Sequence, residues 1–402
     1  MAEKVVVTGI GILTSLGTGK QIHIDAFSNK RTGLRYAKHL QSIHTPEIVL
    51  GEINQSNSQL ALSAGLPGGD NGYTRTSLLS IVAMQELLNG LDTNILKEEK
   101  FAFINANTVG GMDKMEQYYT SLIAKGTDPA HLKYIQAFDC SHSTDATVKH
   151  FGLKPFMATI STACSSSANA LMLGARMIKQ GVVTRAICGG CDALSRFTVN
   201  GFNSLKNVDK LPSKPFDQNR NGLNIGEAAG YCLLEAETAA QRRGATILAE
   251  FTGYANTNDA YHSTSPSPGG EGALATMLQA LQMAGLQAID IGYINAHGTA
   301  TQNNDLAEGR AIEKLFGNKT PFSSTKPYTG HTLAAAGVIE SIFSLWAMES
   351  GITIPNLNFE TQMEELTISP VTTLIPGMPV NHILSNSFGF GGSNVSLVFS
   401  KP

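Results

Sequence analysis

Short runs of β-branched and other apolar residues alternate with longer helical stretches along almost the whole chain. Alternation of this kind is typical of α/β proteins, in which helices cover the faces of a sheet. It therefore predicts a layered α/β fold. The predicted strands are 5–10, 101–106, 158–161, 185–188, 230–235, 246–254, 291–295 and two more within 383–399, and the predicted helices are 21–29, 75–91, 165–180, 236–243, 273–284, 305–316 and 332–349.

Two of these predicted helices begin with unusually small side chains. The first follows Cys164 with Ser-Ser-Ser-Ala-Asn-Ala, and the second begins at Thr332 with Thr-Leu-Ala-Ala-Ala-Gly. Small side chains allow helices to approach each other and a sheet closely. The likeness predicts an internal duplication, with the two helices facing each other across a pseudo-twofold axis. We place the boundary near residue 250, between an N-terminal half of residues 1–250 and a C-terminal half of residues 251–402.

Composition narrows the classes of partner and compartment. Of the 402 residues 15% are charged, the net charge is −3, and no run of about five Lys or Arg occurs, so no nucleic-acid partner is expected. No stretch of about 18 apolar residues runs without polar interruption, so we expect no membrane span. The five cysteines are odd in number and sparse, which favours the reducing cytoplasm over a secreted disulfide scaffold.

Cys164 stands where an apolar strand gives way to the first small-residue helix. The following serines could cap that helix, and the positive end of its dipole should point back at the sulfur. Both effects favour thiolate over thiol, which a nucleophilic cysteine needs. The alternative is that Cys164 is a small buried hydrophobe, as free cysteines usually are.

Two histidines occupy positions that could serve such a nucleophile. His297 follows a predicted strand and precedes Gly-Thr-Ala-Thr, at the strand end where α/β folds bind ligands. His331 precedes the second small-residue helix, whose dipole should lower the pKa of the imidazole and keep it neutral. Taken singly, each histidine is better explained by a structural role.

Taken together, the motifs follow one another in a recognisable order. They are Val-Thr-Gly-Ile-Gly from residue 7, Thr-Ala-Cys-Ser from 162, His-Gly-Thr from 297, Ser-Ser-Thr-Lys from 323, Gly-His from 330 and Asn-Ser-Phe-Gly-Phe-Gly-Gly from 386. In this order they resemble the β-ketoacyl-acyl carrier protein synthases, decarboxylating condensing enzymes of the thiolase superfamily. The resemblance implies a thiolase-like fold, with two pseudo-symmetric α/β halves forming a layered α-β-α-β-α core.

The resemblance also implies a mechanism. Cys164 would accept an acyl group from acyl carrier protein, and a carbanion derived from malonyl-acyl carrier protein would then attack it. His297 and His331 would stabilise the enolate as neutral donors, without a catalytic metal. The backbone amides of Cys164 and Phe390 would form the oxyanion hole, with Phe390 also acting as a gate beside Phe388.

Further roles are implied by the same resemblance. Lys326 would be held near Glu308 and order the site electrostatically, with Asp305 assisting, although Lys326 could instead cap a turn. The acyl pocket would extend to Val109. No cofactor is implied beyond a structural sodium or potassium ion, whose surroundings would be formed by Asn295, Glu340, Ser385 and Asn386.

Details of the motifs separate this chain from other members of the superfamily. The loop from Phe388 lacks the second cysteine of degradative thiolases, and His331 stands where initiating synthases have asparagine. An elongating enzyme of fatty acid or polyketide biosynthesis is therefore predicted. Gln302-Asn303-Asn304 departs from the usual fatty acid synthase pattern and resembles relatives from polyene pathways.

The predicted partner is acyl carrier protein, with Lys206, Lys210 and Lys214 as candidate docking residues. The predicted assembly is a homodimer, or a heterodimer with a second ketosynthase-like chain. The alternative function is a subunit of such a heterodimer that mainly binds or sets chain length. Because the non-catalytic partners lack the cysteine, Cys164 favours the catalytic role.

Overall fold

A computed structural model describes residues 3–69, 71–98, 100–126, 129–378 and 380–402. The strands are β1 (Val5–Thr14), β2 (Gly17–Thr18), β3 (Arg35–Tyr36), β4 (Val49–Leu50), β5 (Phe101–Ala106), β6 (Phe156–Ile160), β7 (Arg185–Asp192), β8 (Ala228–Ala236), β9 (Ala249–Asn258), β10 (Tyr293–Asn295), β11 (Phe322–Ser323), β12 (His382–Phe388) and β13 (Ser393–Ser400). The helices are α1 (Lys20–Ser28), α2 (Asn57–Ser63), α3 (Arg75–Leu88), α4 (Ile95–Glu98), α5 (Met112–Lys125), α6 (His142–His150), α7 (Ser166–Lys179), α8 (Arg196–Ser204), α9 (Glu237–Arg242), α10 (Glu271–Ala284), α11 (Gln302–Phe316), α12 (Lys326–Thr329) and α13 (Ala336–Ser350). Short 3-10 segments span Pro129–Phe138, Ala288–Asp290, Leu333–Ala335 and Phe390–Gly392.

The sheet repeats one topology twice. Its strands are hydrogen-bonded in the order β11-β10-β12-β13-β9-β1-β8-β7-β5-β6. When the short strands β2, β3 and β4 are left out of the count, both halves place their first, fifth, fourth, second and third strands side by side, starting from the centre. The halves join where β1 and β9 pair at Val6–Glu250 and Val7–Ala249. This repetition is the pseudo-symmetry that the two small-residue helices predicted.

Those two helices, α7 and α13, pack against each other between the halves. Ser167 on α7 accepts a hydrogen bond from Val338 N on α13 at 2.9 Å. Gly337 allows this approach, since a Cβ there would lie 2.7 Å from Ala168 N and 2.8 Å from Ala168 Cβ. The small residues therefore bring the starts of these two helices together. Cys164 lies just before α7, and His331 lies a few residues before α13.

The remaining helices form the outer layers. On the N-terminal half α3 packs on β1, β7 and β8, and on the C-terminal half α10 packs on β9, β12 and β13. The order of layers is therefore helix, sheet, central helices, sheet and helix, which confirms the predicted fold class. The segment Leu333–Ser350 is long and apolar enough to cross a membrane by length and composition, but most of it is buried in the protein as a core helix.

The close contact of α7 and α13 gives a testable expectation. Replacing Gly337 by alanine should lower the free energy of unfolding by about 1–3 kcal/mol, because the new methyl group meets backbone atoms that cannot rotate away. Chemical denaturation monitored by circular dichroism measures this difference. Gly201→Ala in α8 is the matched control, since its Cβ would meet nothing within 4 Å. Equal stability of the two variants would contradict the packing argument.

Candidate active site

The nucleophile lies in a tight turn between β6 and α7. Ala163, directly before Cys164, has a φ of 50°, in the left-handed region that non-glycine residues rarely adopt. The Ser165 Oγ donates a hydrogen bond to Thr162 O at 2.8 Å. Within the described residues, the Ser165 side chain accepts no hydrogen bond from the backbone N–H groups at the start of α7. The expected N-terminal cap was therefore wrong. The hydroxyl instead fixes the turn that presents the sulfur.

The glycine loop after β12 closes over this turn. A Cβ at Gly389 would lie 2.9 Å from Thr162 O and 3.3 Å from Cys164 N, so only glycine allows the loop to come this close. As a result the Phe390 N–H lies close enough to the Cys164 sulfur to lower the pKa of its thiol. The glycine loop therefore lies directly beside the nucleophile turn.

Cys164 is buried, with 6% of its surface exposed. Burial raises the pKa of its thiol to about 11, against the lowering effects of the Lys326 charge and the Phe390 N–H. The sequence predicted a thiolate favoured by the helix dipole, and this expectation was wrong for the resting protein. Loss of solvation of the sulfur outweighs the nearby positive groups.

His297 and His331 face each other beside this sulfur. Their ring centroids are 5.4 Å apart at an interplanar angle of 87°. Burial, and then the charge of Lys326, lower both pKa values well below the usual range, so both imidazoles are neutral. The neutral state matches the prediction. Its cause differs, because the 3-10 turn Leu333–Ala335 separates His331 from the start of α13.

Lys326 contacts the first histidine and a buried glutamate. Its Nζ donates to His297 O at 2.5 Å, lies 3.2 Å from His297 Nδ1, and forms an ion pair with Glu340 Oε1. Because Nδ1 accepts from the ammonium group, the proton of neutral His297 is on Nε2. The resemblance implied that Lys326 is held near Glu308, but its ion pair is with a different carboxylate. Glu340, on the central helix α13, takes its place.

Glu308 and Asp305 instead hold the histidine loop by its backbone. Glu308 accepts from His297 N and Gly298 N, each at 2.8 Å, and from the side chain of Asn386 at 3.0 Å. Asp305 accepts from Thr299 N at 2.9 Å and from the next amide in the loop at 3.1 Å. Both carboxylates are on α11, so this helix fixes the loop on which His297 stands.

Two cavities meet at Cys164. The outer cavity has a volume of about 340 Å³ and is lined by Cys164, His297, His331, Phe388 and Phe390 together with a polar rim. The second cavity, of about 390 Å³, is mainly apolar and reaches the surface at the exposed side chains of Phe197 and Leu205. We call it the inner cavity for its apolar lining, not for its depth. Cys164, Phe202, Leu205 and Phe390 line both cavities, so the two adjoin at these residues. The inner cavity is lined by Thr108, Val109, Ala163, Cys164, Phe197, Thr198, Gly201, Phe202, Ser204, Leu205, Leu333 and Phe390.

Sequence reasoning missed one residue that lines both cavities and one that binds the backbone of a cavity wall. Phe202 on α8 lines both cavities and stacks on Phe390 with ring centroids 5.7 Å apart. Asp192, at the end of β7, is fully buried and accepts hydrogen bonds from Thr108 N and Ala334 N. The sequence feature that could have indicated Asp192 is a single carboxylate at the end of a strand of mostly small and apolar residues. The residues around Phe202 are mostly polar and contain no motif that indicates a cavity.

The candidate cation ligands are only partly free. Glu340 Oε2 and Ser385 Oγ are buried without a hydrogen-bond partner among the described residues. Asn386 already accepts from Ser396 Oγ at 2.8 Å, and Asn295 donates to Glu340 O at 3.0 Å. Both unpartnered atoms are oxygens, the donor type that hard cations take in proteins.

Two of the three candidate docking lysines are neutralised. Lys210 forms an ion pair with Glu47 at 2.6 Å, and Lys214 forms one with Glu360 at 2.7 Å. Lys206 lines the mouth of the outer cavity, and no ion pair of its side chain occurs in the described part of the chain.

Comparison with known sequences decides the family. Residues 2–240 match the profile described as "Beta-ketoacyl synthase, N-terminal domain", and residues 248–360 match "Beta-ketoacyl synthase, C-terminal domain". This chain belongs to the β-ketoacyl synthase family. The predicted family and acyltransferase function are thereby confirmed. The two profiles meet between residues 240 and 248, just before β9 begins at Ala249.

Individual β-ketoacyl synthases agree over the full length. The chain is 33% identical to 3-oxoacyl-[acyl-carrier-protein] synthase 2 of Synechocystis sp., covering 99% of this chain and 98% of the relative. It is 31% identical to the synthase of the same name from Staphylococcus aureus, with the same coverage.

Solved structures extend the likeness. The ishigamide ketosynthase/chain length factor superposes with a TM-score of 0.90 at 25% identity, covering all of both chains. A ketosynthase in complex with its chain length factor from Xenorhabdus doucetiae gives a TM-score of 0.86 at 28% identity, covering 100% of this chain and 98% of the other.

Proposed function

We propose that this β-ketoacyl synthase elongates acyl chains on acyl carrier protein by decarboxylative condensation with a malonyl thioester. The observation that carries the proposal is that Cys164, His297 and His331 line one cavity, while a mainly apolar cavity begins at the same sulfur. The outer cavity suits the polar thioester arm, and the inner cavity suits an acyl chain. The pathway is fatty acid elongation or a specialised polyene or polyketide pathway.

In the first half-reaction the Cys164 sulfur attacks the thioester carbonyl of the acyl donor. A bond forms between sulfur and the acyl carbon, the carrier's sulfur leaves, and the thiol proton of Cys164 passes to that leaving sulfur. The amides of Cys164 and Phe390 stabilise the tetrahedral oxyanion. Lys326 favours this step because its charge lowers the pKa of the thiol.

In the second half-reaction the malonyl carboxylate leaves as carbon dioxide. The electrons of the broken carbon–carbon bond form an enolate, whose oxygen accepts hydrogen bonds from neutral His297 and His331. The enolate carbon attacks the acyl carbon on Cys164 and forms the new carbon–carbon bond. The sulfur then leaves and takes up a proton, which restores the thiol.

The acyl chain extends from Cys164 into the inner cavity towards Val109. The side chains of Phe202, Leu205 and Leu333 make this cavity mainly apolar. Stacking of Phe202 on Phe390 supports a gate between the polar and apolar compartments. Rotation of Phe390 would admit the acyl chain.

The proposed assembly is a dimer formed at the free edge of the sheet. Strand β6 is the last strand of the N-terminal half, so its outer edge can pair with a second chain. Exposed apolar side chains beside this edge support it as the dimer interface. They lie on β6, on α5 and on the 3-10 segment Pro129–Phe138, which packs against α5. They are Tyr119, Ile123, Ile135, Phe138, Phe156 and Met157.

The second candidate function is a subunit of a ketosynthase heterodimer. It is favoured by the likeness to two structures whose titles name a chain length factor. Light scattering on the chain purified alone separates the candidates. A dimer that decarboxylates malonyl-acyl carrier protein supports the homodimeric enzyme, whereas a monomer without activity, rescued by a second ketosynthase-like chain, supports the subunit.

Carrier docking is proposed at the mouth of the outer cavity, around Lys206. An acidic carrier protein would be attracted by an unpaired lysine there, while Lys210 and Lys214 are already paired.

The proposed compartment is the cytoplasm, and the free cysteines of the described chain support it. No cofactor takes part in the proposed reaction.

A sodium or potassium ion beside Glu340 and Ser385 is proposed as a structural element. It would satisfy the two buried oxygens that have no partner in the described residues. Its contribution would be to stabilise the segment around Lys326, to which Glu340 is paired. No cluster of three or more His, Cys, Asp or Glu suited to another metal occurs in the described ranges.

Mass spectrometry tests the proposed function directly. After incubation with acyl-acyl carrier protein, the peptide containing Cys164 should gain the mass of the acyl group, released by hydroxylamine as thioesters are. The other four cysteines serve as internal controls in the same digest. An unmodified Cys164 across donors of different chain length would exclude the proposal.

The pH dependence of the thiol provides a second test. Because burial raises the pKa of Cys164 to about 11, alkylation by iodoacetamide should rise about tenfold per pH unit between about pH 7 and 10. Lys326→Met should slow alkylation at each pH, since loss of the positive charge raises that pKa further. Peptide mass spectrometry resolves Cys164 from the partly exposed Cys140.

Lys210→Met is the matched control for this experiment, because it removes a charge that is paired with Glu47 at the surface. It should leave the alkylation profile unchanged. A plateau of the wild-type rate near neutral pH would mean that the resting sulfur is already a thiolate.

A further inference from the structure

The carboxylate of Asp192 joins two segments that come from opposite halves of the chain. Its Oδ1 accepts from Thr108 N at 3.0 Å and Val109 N at 3.3 Å, in the loop after β5. Its Oδ2 accepts from Ala334 N at 2.8 Å, in the 3-10 turn before α13. The Thr108 hydroxyl donates to the same oxygen. One buried carboxylate therefore binds the backbone of both segments.

Both segments are walls of the inner cavity. Thr108 and Val109 line it from the first segment, and Leu333, the neighbour of Ala334, lines it from the second. Leu333 has a φ of 54°, a strained conformation that requires support from its surroundings. Asp192 itself is fully buried and does not line the cavity. It can therefore act on an acyl chain only through the walls.

We propose that Asp192 is a positioning residue that fixes the width of the acyl cavity and thereby the range of acyl chains that Cys164 accepts. This inference rests on the proposed function and extends it to specificity. Backbone groups bound to one carboxylate cannot separate without leaving a buried donor unpaired, which is costly. The carboxylate thus holds the two walls at a set distance.

Asp192→Asn tests this role, because it keeps the volume but places an amide N–H against one of the donors. The walls should then separate and admit longer chains. We expect the ratio of kcat/KM for the longest to the shortest accepted saturated acyl donor to rise about tenfold, the size of a methylene-scale change in an apolar pocket. Decarboxylation of malonyl-acyl carrier protein should stay within about threefold of wild type, because it uses the outer cavity.

Asp217→Asn is the matched control. Asp217 is also a fully buried carboxylate that accepts backbone amides, from Glu360 N at 2.6 Å and Thr361 N at 2.7 Å, but it lines neither cavity. The Asp217→Asn variant should be less stable than the wild type, but its ratio of kcat/KM for the longest to the shortest acyl donor should not change. If Asp192→Asn does not fold, Thr108→Val removes one hydrogen bond to Asp192 and should shift the ratio in the same direction by a smaller factor.

The outcomes are distinct. A ratio within about twofold of wild type, a shift towards shorter chains, or an equal loss for every donor and for decarboxylation would overturn the positioning role. Failure of the proposed function would be recognised separately, because the wild-type protein would then load no acyl donor on Cys164.

Discussion

Replacing Cys164 by alanine should abolish condensation while leaving decarboxylation of malonyl-acyl carrier protein in place. Among the described residues no other thiol lines either cavity, so condensation should fall by at least about 10³-fold, as for loss of other catalytic nucleophiles. Loss of carbon dioxide requires only the two neutral histidines. Release of labelled carbon dioxide and formation of the β-ketoacyl product, measured in parallel, separate the two half-reactions.

The matched control for Cys164→Ala is Cys191→Ala, which removes a buried thiol that lines neither cavity. It should retain both half-reactions. Condensation by the Cys164→Ala variant above the level of the reagents alone would show that another group accepts the acyl chain. Loss of decarboxylation in the same variant would place the sulfur in the enolate-forming step as well.

Replacing His297 by alanine should have the opposite pattern. Removal of one enolate donor should lower decarboxylation by about 10²–10³-fold, as for loss of an oxyanion-hole donor in other enzymes. Acyl transfer to Cys164 should continue, because its oxyanion is bound by backbone amides. The measurement pairs carbon dioxide release with the acyl adduct on the Cys164 peptide.

His23→Ala serves as the control for loss of a buried imidazole, since His23 is packed against Phe343 and Trp346 away from both cavities. It should reduce stability but not the ratio of the two half-reactions. His297→Ala with normal decarboxylation would contradict the two-histidine mechanism. So would a variant that loses acyl transfer to the same extent as decarboxylation.

The two expectations depend on features that the sequence indicated to different degrees. The strand 101–106 was predicted with its observed bounds, and the helix after Cys164 differs from its prediction by one residue at each end. Strand β5 and helix α7 have strong sequence patterns, so local preference and tertiary packing agree. By contrast, β11 and α8 were missed, since two residues of strand or a polar helix give too weak a periodic signal.

The same division applies to the site. Cys164, His297, His331 and Lys326 were found because each stands in a motif of recognisable chemistry. Phe202 and Asp192 stand in no such motif, although each contacts the segments that form the cavities. Their positions depend on which backbone segments meet, and hydrogen bonds across 84 or 142 residues of sequence leave no local pattern.

The sequence by itself determined the chemical inventory and the duplicated α/β plan. It contains one thiol at a helix start, two histidines, a lysine and a glycine loop, and its small-residue helices predicted the central layer. Only the tertiary structure decided the electrostatics. Lys326 pairs with Glu340 and not Glu308, and burial leaves Cys164 as a thiol with a pKa of about 11. Solvation and ion pairing depend on distances through space, which the order of residues does not specify.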